Sequence, residues 1–200
     1  MEVKMRKKSH ISLARYIVEK MELQELQEYK KAFYIGSILP DCKPSFLTKR
    51  HEINGTFEDV KKYVLNLTTQ YNVYDRNART YFLNLGQVIH YVADYFTFPH
   101  NDTYTGNIKD HCVYEKELKK VLEEYLKSDK LKKKQEEVRK FKTPEALLEY
   151  VLMMHEEYLT LKNTVVEDCR YIVDVCLTVV TAVVNLLNQK LEMNFLPVMM

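Results

Sequence analysis

Apolar residues recur at helical spacing along most of this chain. After Ser9, the positions Ile11, Leu13, Ala14, Ile17 and Val18 mark one face of a first helix, with Ser9 as its N-cap and His10 in its first turn. A second helix is predicted from Glu25 to about Ile38, ended by Gly36-Ser37 and Pro40. Asp41 then falls in the following loop, and His51 in or near the same irregular segment, ahead of a helix opening near Thr56. A long helix from about Arg76 to Phe96 carries Phe82, Leu85, Val88, Ile89 and Val92, with His90 and Asp94 in its C-terminal half. Pro99 prevents it from continuing, so His100 is presented from a stiffened loop. The polar stretch from Asn101 to Asp110, which contains Gly106, yields to a helix with His111 in its first turn and Glu115 in its second. Thr143-Pro144-Glu145 reads as N-cap, first helical residue and acidic first turn of another helix, and a final helix runs from about Asn163 to Leu191.

Composition narrows this to an all-α, multi-helix bundle. Four glycines and five prolines leave little turn punctuation in 200 residues, and neither a repeat nor a linker interrupts the pattern, so residues 1–200 are expected to form a single domain. The net charge of +2 provides no field that would draw nucleic acid or anionic lipid. The charge-dense segment Lys119 to Lys142, including Lys132-Lys133-Lys134, alternates with acids and reads as a solvated helix face and turn. The apolar run from Tyr171 to Leu187 contains Asp174 and Asn185 and is read as a core helix rather than a membrane span. Cys42, Cys112, Cys169 and Cys176 lack the close pairing of a thiolate metal site and are expected to be reduced. No export signal is visible at the start, which places the chain as written in the cytoplasm; loss of an earlier signal would make it a secreted protein.

The chemistry lies in the histidines. His90 and Asp94, and again His111 and Glu115, are four apart, so each pair shares a helix face with a rise of about 6 Å between members and can converge on one cation. Neutral imidazole and carboxylate are zinc ligands, and a three-ligand site leaves room for water. Asp94 has two oxygens and can bridge two metals. Two such pairs flanking His100, with His10, Asp41 and His51 upstream, form the donor set of a multinuclear zinc site. His155, beside Glu156 and Glu157, is expected on a solvated helix face. Tyr34, Tyr91, Tyr95, Phe96, Phe98 and Tyr104 surround the motifs and are expected to be core rather than binding residues.

The order His10, Asp41, His51, His90-x3-Asp94, His100, His111-x3-Glu115 resembles the zinc-dependent phospholipase C family, whose fold is shared with P1-type single-strand nucleases. The segment His90-Tyr91-Val92-Ala93-Asp94 followed by Pro99-His100-Asn101 is similar to that family's signature, and the resemblance runs from His10 to Glu115. It implies one metal held by Asp41, His51, His90 and Asp94, and a second by His100, His111 and Glu115. A third would use His10 and Asp94 together with the amino group and carbonyl of an N-terminal tryptophan. This chain contains no tryptophan, so zinc is expected at two complete sites and the third lacks two of its family ligands.

The implied reaction is phosphodiester hydrolysis by a zinc-bound hydroxide, with Asp41 also orienting or deprotonating the attacking water. On phospholipid this releases diacylglycerol and a phosphorylated headgroup, with transient membrane contact. A P1-type nuclease is the variant with the same metal chemistry, disfavoured by a charge balance that gives no electrostatic funnel for single strands. A non-catalytic protein stapled by zinc is the alternative from a different class, against which the three-ligand set His100, His111 and Glu115 argues. No protein partner is identifiable in the sequence.

Overall fold

The computed structural model describes residues 7–42, 51–71, 77–128, 139–161 and 164–195. Among them are eight α-helices and no strand: α1 (Lys7–Met21), α2 (Gln24–Glu28), α3 (Lys30–Gly36), α4 (Ile53–Thr68), α5 (Ala78–Tyr95), α6 (Ile108–Lys127), α7 (Pro144–Leu159) and α8 (Val165–Phe195). The protein therefore has the all-α architecture that the periodicity predicts.

Helix α5 is the axis around which the others pack. From Leu85 to Tyr95 every residue is buried, because α1, α3, α4 and α8 cover it on all sides. Gln87, His90 and Asp94 are therefore carried inside with the apolar residues. Burying such groups is costly unless each finds a partner, so their partners are built into the surrounding helices. Asn77 caps the helix by accepting from the Thr80 N–H at 3.0 Å, one residue inside the predicted start, while Arg76 lies outside the described residues.

The closest approach is between α3 and α5. A Cβ on Gly86 would press into the Phe33 carbonyl oxygen and stand 2.8 Å from Ser37 N and 2.9 Å from Gly36 Cα; one on Gly36 would meet the Leu83 carbonyl. Only glycine at both positions lets the two backbones touch. That contact brings the C-terminal end of α3 to within reach of His90, one turn beyond Gly86.

Helix α8 is long and apolar enough to cross a bilayer by length and composition, but it lies against α1, α4, α5, α6 and α7 with most of the stretch buried, as a core helix should. Cys169 and Cys176 are buried on it, and all four cysteines are free.

Several local expectations need correction. Ser9 does not cap the first helix: it lies within α1 and is fully buried. The predicted helix from Glu25 to Ile38 is two helices, α2 and α3, broken at Tyr29, whose backbone (φ −97°, ψ 17°) departs from the helical region. Helix α4 opens at Ile53 rather than near Thr56, because Glu52 turns into the helix from an extended conformation and the Thr56 hydroxyl donates back to its carbonyl. The Lys132-Lys133-Lys134 run and Asn163 lie outside the described residues.

His155 is not solvated. It is buried on α7 with its Nε2 2.7 Å from Asn101 Oδ1, among the rings of Tyr95, Phe96 and Tyr158. The acidic neighbours Glu156 and Glu157 are exposed because they occupy other faces of the helix. Burial pushes the His155 imidazole below its ordinary value of 6.5, against raising contributions from the Tyr95 backbone and Asp102.

Two predictions follow from these contacts. Gly86→Ala is expected to destabilise the protein by about 1–3 kcal/mol through overpacking, even though alanine is favoured over glycine in a helix by ~1 kcal/mol. Urea unfolding followed by circular dichroism measures this, and an unchanged or raised midpoint would contradict the backbone contact. For His155 the unfolded chain takes up the proton first, so the stability contributed by the neutral imidazole is present above pH 6.5 and lost as pH falls below it. His155→Gln is expected to flatten the fall of unfolding free energy between about pH 7 and 5, read from denaturant titrations across that range.

Candidate metal centre

Each candidate ligand is presented by a different piece of this scaffold. Helix α1 brings His10 inward from its first turn. Asp41 sits in a 3-10 turn over Pro40–Cys42, closed by the Cys42 N–H donating to the Leu39 carbonyl at 2.9 Å. His51 stands just before α4, and His90 and Asp94 are one turn apart on α5. After α5, a 3-10 turn over Phe98–His100 with Pro99 inside it presents His100. Helix α6 starts at a capping box in which Asn107 accepts from the Asp110 N–H and Asp110 accepts from the Asn107 N–H. This start places His111 in the first turn and Glu115 in the second.

All eight side chains converge. Around one centre, His90 Nε2 is 3.3 Å from Asp94 Oδ2 and 3.7 Å from Asp41 Oδ1, while His51 Nδ1 is 2.9 Å from His90 Nε2, 3.0 Å from Asp94 Oδ2 and 3.8 Å from Asp41 Oδ1. Around a second, Glu115 Oε1 lies 3.2 Å from His111 Nε2 and 3.7 Å from His100 Nε2. The other oxygen of Asp94, Oδ1, faces His10 Nε2 at 3.3 Å and His100 Nδ1 at 3.7 Å. The His10 ring stacks on His90 with 4.1 Å between centroids. Three groups of donors thus have ligand atoms close enough for one ion each: His10, His90 and Asp94; Asp41, His51 and His90; and His100, His111 and Glu115.

This donor set fits zinc on two independent observations. Zinc bonds of about 2.0–2.2 Å at tetrahedral angles separate ligand atoms by about 3.3–3.6 Å, and the observed separations straddle that range. In addition, both nitrogens of His10, Asp94 Oδ1 and His100 Nε2 are buried without a hydrogen-bond partner, a costly arrangement that a cation would relieve by taking the lone pair of the carboxylate oxygen and of one nitrogen of each ring.

One tautomer is decided by the fold. His90 Nδ1 lies 2.8 Å from the Ser37 carbonyl oxygen, which only accepts, so Nδ1 carries the hydrogen and Nε2 turns its lone pair to the centre. Charge is arranged to match. Burial alone would raise the Asp94 carboxyl, but His100, His90 and His10 outweigh it and hold Asp94 well below the usual carboxylate range. Burial likewise pushes Glu115 up and His100 down, and their mutual attraction, with His111 on Glu115 and Asp94 on His100, reverses both shifts.

Beside His100 opens a cleft of about 440 Å³. Its walls carry four carboxylates, Glu52, Glu58, Asp102 and Glu156, with Phe57 among them. The aromatic residues flanking the motifs behave as expected in part: Tyr91, Tyr95 and Phe96 are buried, whereas Tyr34, Phe98 and Tyr104 are only partly so.

The groups that hold the ligands have no mark in the sequence. Ser37 acts through its backbone carbonyl, which no residue type signals. Asn101 receives His155 and donates to the Tyr95 and Thr97 carbonyls at 3.3 and 3.0 Å, and its position next to His100 was the only available hint.

Comparison with curated proteins and with solved structures returned no match. The family model described as zinc dependent phospholipase C matches residues 9–165, which takes in all eight candidate ligands, α1 from its third residue onward and the whole of α2 to α7. A family of this kind hydrolyses phosphodiesters, and the buried histidine and carboxylate clusters are able to hold its metal. On the strength of that match the chain belongs to the zinc-dependent phospholipase C family.

Proposed function

We propose that this protein is a phospholipase C that cleaves the bond between glycerol and phosphate, releasing diacylglycerol and a phosphorylated headgroup, with preference for a headgroup that carries positive charge. The observation that carries the preference is the cleft beside His100. A phosphoryl group seated at the histidine centre would extend its headgroup past Asp102, Glu52, Glu58 and Glu156, where a cation is attracted and a further anion repelled. The same walls disfavour a P1-type nuclease, since a polyanionic strand would meet carboxylates instead of a basic groove.

Asp41, His51, His90 and Asp94 would hold one zinc ion, and His100, His111 and Glu115 a second. When bound, the ions acidify water and offset charge on the phosphoryl oxygens. The chain's own groups supply the rest. Asp94 directs one oxygen to each side of the centre and so couples the two halves. Asp41, held on a short turn at the edge of the cluster, orients the attacking water and takes its proton. Ser37 keeps His90 in the tautomer that faces inward. For a third ion His10 and Asp94 are in place, and the chain contains no tryptophan to complete the set.

The test is metal analysis of the purified protein together with turnover of phosphocholine and phosphoinositol esters, phospholipid vesicles and single-stranded DNA. At least two zinc ions per chain and fastest turnover of the choline ester are expected. His90→Ala should lose more than the roughly 10–100-fold that an outer-shell partner alone costs. Zinc without hydrolysis of any phosphodiester would move the protein to the structural reading, and DNA cleaved faster than lipid would reverse the substrate assignment.

A further inference from the structure

Asp168 on α8 is fully buried, yet nothing in the proposed hydrolysis uses it. Its Oδ2 accepts from the Phe98 backbone N–H at 2.9 Å and from the Tyr114 hydroxyl at 2.9 Å, and its Oδ1 accepts from the Tyr158 hydroxyl at 2.8 Å. Burial pushes the carboxyl up to about 6 against those three donors, so an acid here is a costly choice for holding helices together.

The identity of the donors shows what the carboxylate is placed to do. Phe98 opens the three-residue turn that ends in His100, and Pro99 stiffens the path between them. Tyr114 is the residue before Glu115 on α6. One carboxylate oxygen therefore ties together the two elements whose ligand atoms, His100 Nε2 and Glu115 Oε1, must stay 3.7 Å apart. On the other flank of His100, Asn101 is held by His155 and by its own bonds to the Tyr95 and Thr97 carbonyls, so the turn is pinned at its first residue by α8 and just past its last by α7. Asp168 lies beyond residue 165, where the family match ends.

We propose that Asp168 is the positioning residue for the His100, His111 and Glu115 metal site, setting the spacing between the turn that carries His100 and the helix that carries Glu115. This rests on the metal-centre reading above. It acts through hydrogen bonds to Phe98 and Tyr114 and touches neither metal nor substrate. An asparagine at this position retains an oxygen for those two donors and can turn its amide toward the Tyr158 oxygen, whereas alanine offers nothing.

The experiment titrates Co²⁺ into the metal-free full chain and follows the visible absorption of the bound ion, with His111→Ala identifying which step belongs to this site. Asp168→Ala is expected to weaken that step by about 10–100-fold and leave the other step unchanged, and Asp168→Asn to recover most of the loss. If Asp168→Ala does not fold by circular dichroism, Tyr114→Phe decides: it removes one donor to the shared oxygen and should weaken the same step severalfold. Equal weakening of both steps would reduce Asp168 to a structural brace and overturn the proposal, as would unchanged affinities in a folded variant. A wild-type protein that binds no Co²⁺ would overturn the metal-centre reading itself, whereas wild type binding at both steps with an indifferent variant would overturn this inference alone.

Discussion

A carboxylate with no access to water is the constraint on which the rest of this structure depends. Asp94 is fully buried in the last turn of α5, and an uncompensated charge there would cost several kcal/mol. The chain answers with imidazoles from α1, from His51 two residues ahead of α4, from α5 itself and from the turn after α5. Because these come from separate elements, none of them can be assembled without the others. The core and the candidate site are therefore one object: the helices that bury α5 are the same ones that deliver partners to its polar residues.

Backbone contact sets the precision of that delivery. Gly36 and Gly86 let α3 and α5 touch, and the consequence one turn later is a Ser37 carbonyl at 2.8 Å from His90 Nδ1. A larger residue at either glycine would separate the helices and release the imidazole to its other tautomer. Close packing of small residues here serves chemistry as much as stability, since the direction of a lone pair is fixed by a carbonyl that side-chain chemistry does not reveal.

The C-terminal helices have a similar double use. Their apolar faces complete the core, while His155 on α7 and Asp168 on α8 hold the residues on either side of His100. The acidic cleft is likewise built from both halves, α4 and the residue that caps it contributing Phe57, Glu58 and Glu52, the segment after His100 contributing Asp102, and α7 contributing Glu156. The acidity of the cleft is thus a property of the assembled bundle: overall the chain is nearly balanced, with a net charge of +2, and no local run of sequence marks the rim.

The helical class, the approximate place of the long helices and the pairs His90/Asp94 and His111/Glu115 are legible in the chain alone, because helical period and i,i+4 spacing are written in neighbouring positions, while His10, Asp41, His51 and His100 join them through the order of residues that resembles the family. The sequence misleads about what depends on distant positions. Ser9 looked like a cap and is buried inside α1; a single predicted helix is split at Tyr29; and His155 looked solvated beside two glutamates but faces Asn101, 54 residues earlier in the chain. Only the tertiary structure decided which nitrogen of His90 faces inward, which donors share a centre and which residues brace the turn around His100. Those outcomes are made by contacts across long stretches of chain, where spacing along the sequence carries no distance and where a backbone carbonyl or a buried acid has no signature of its own.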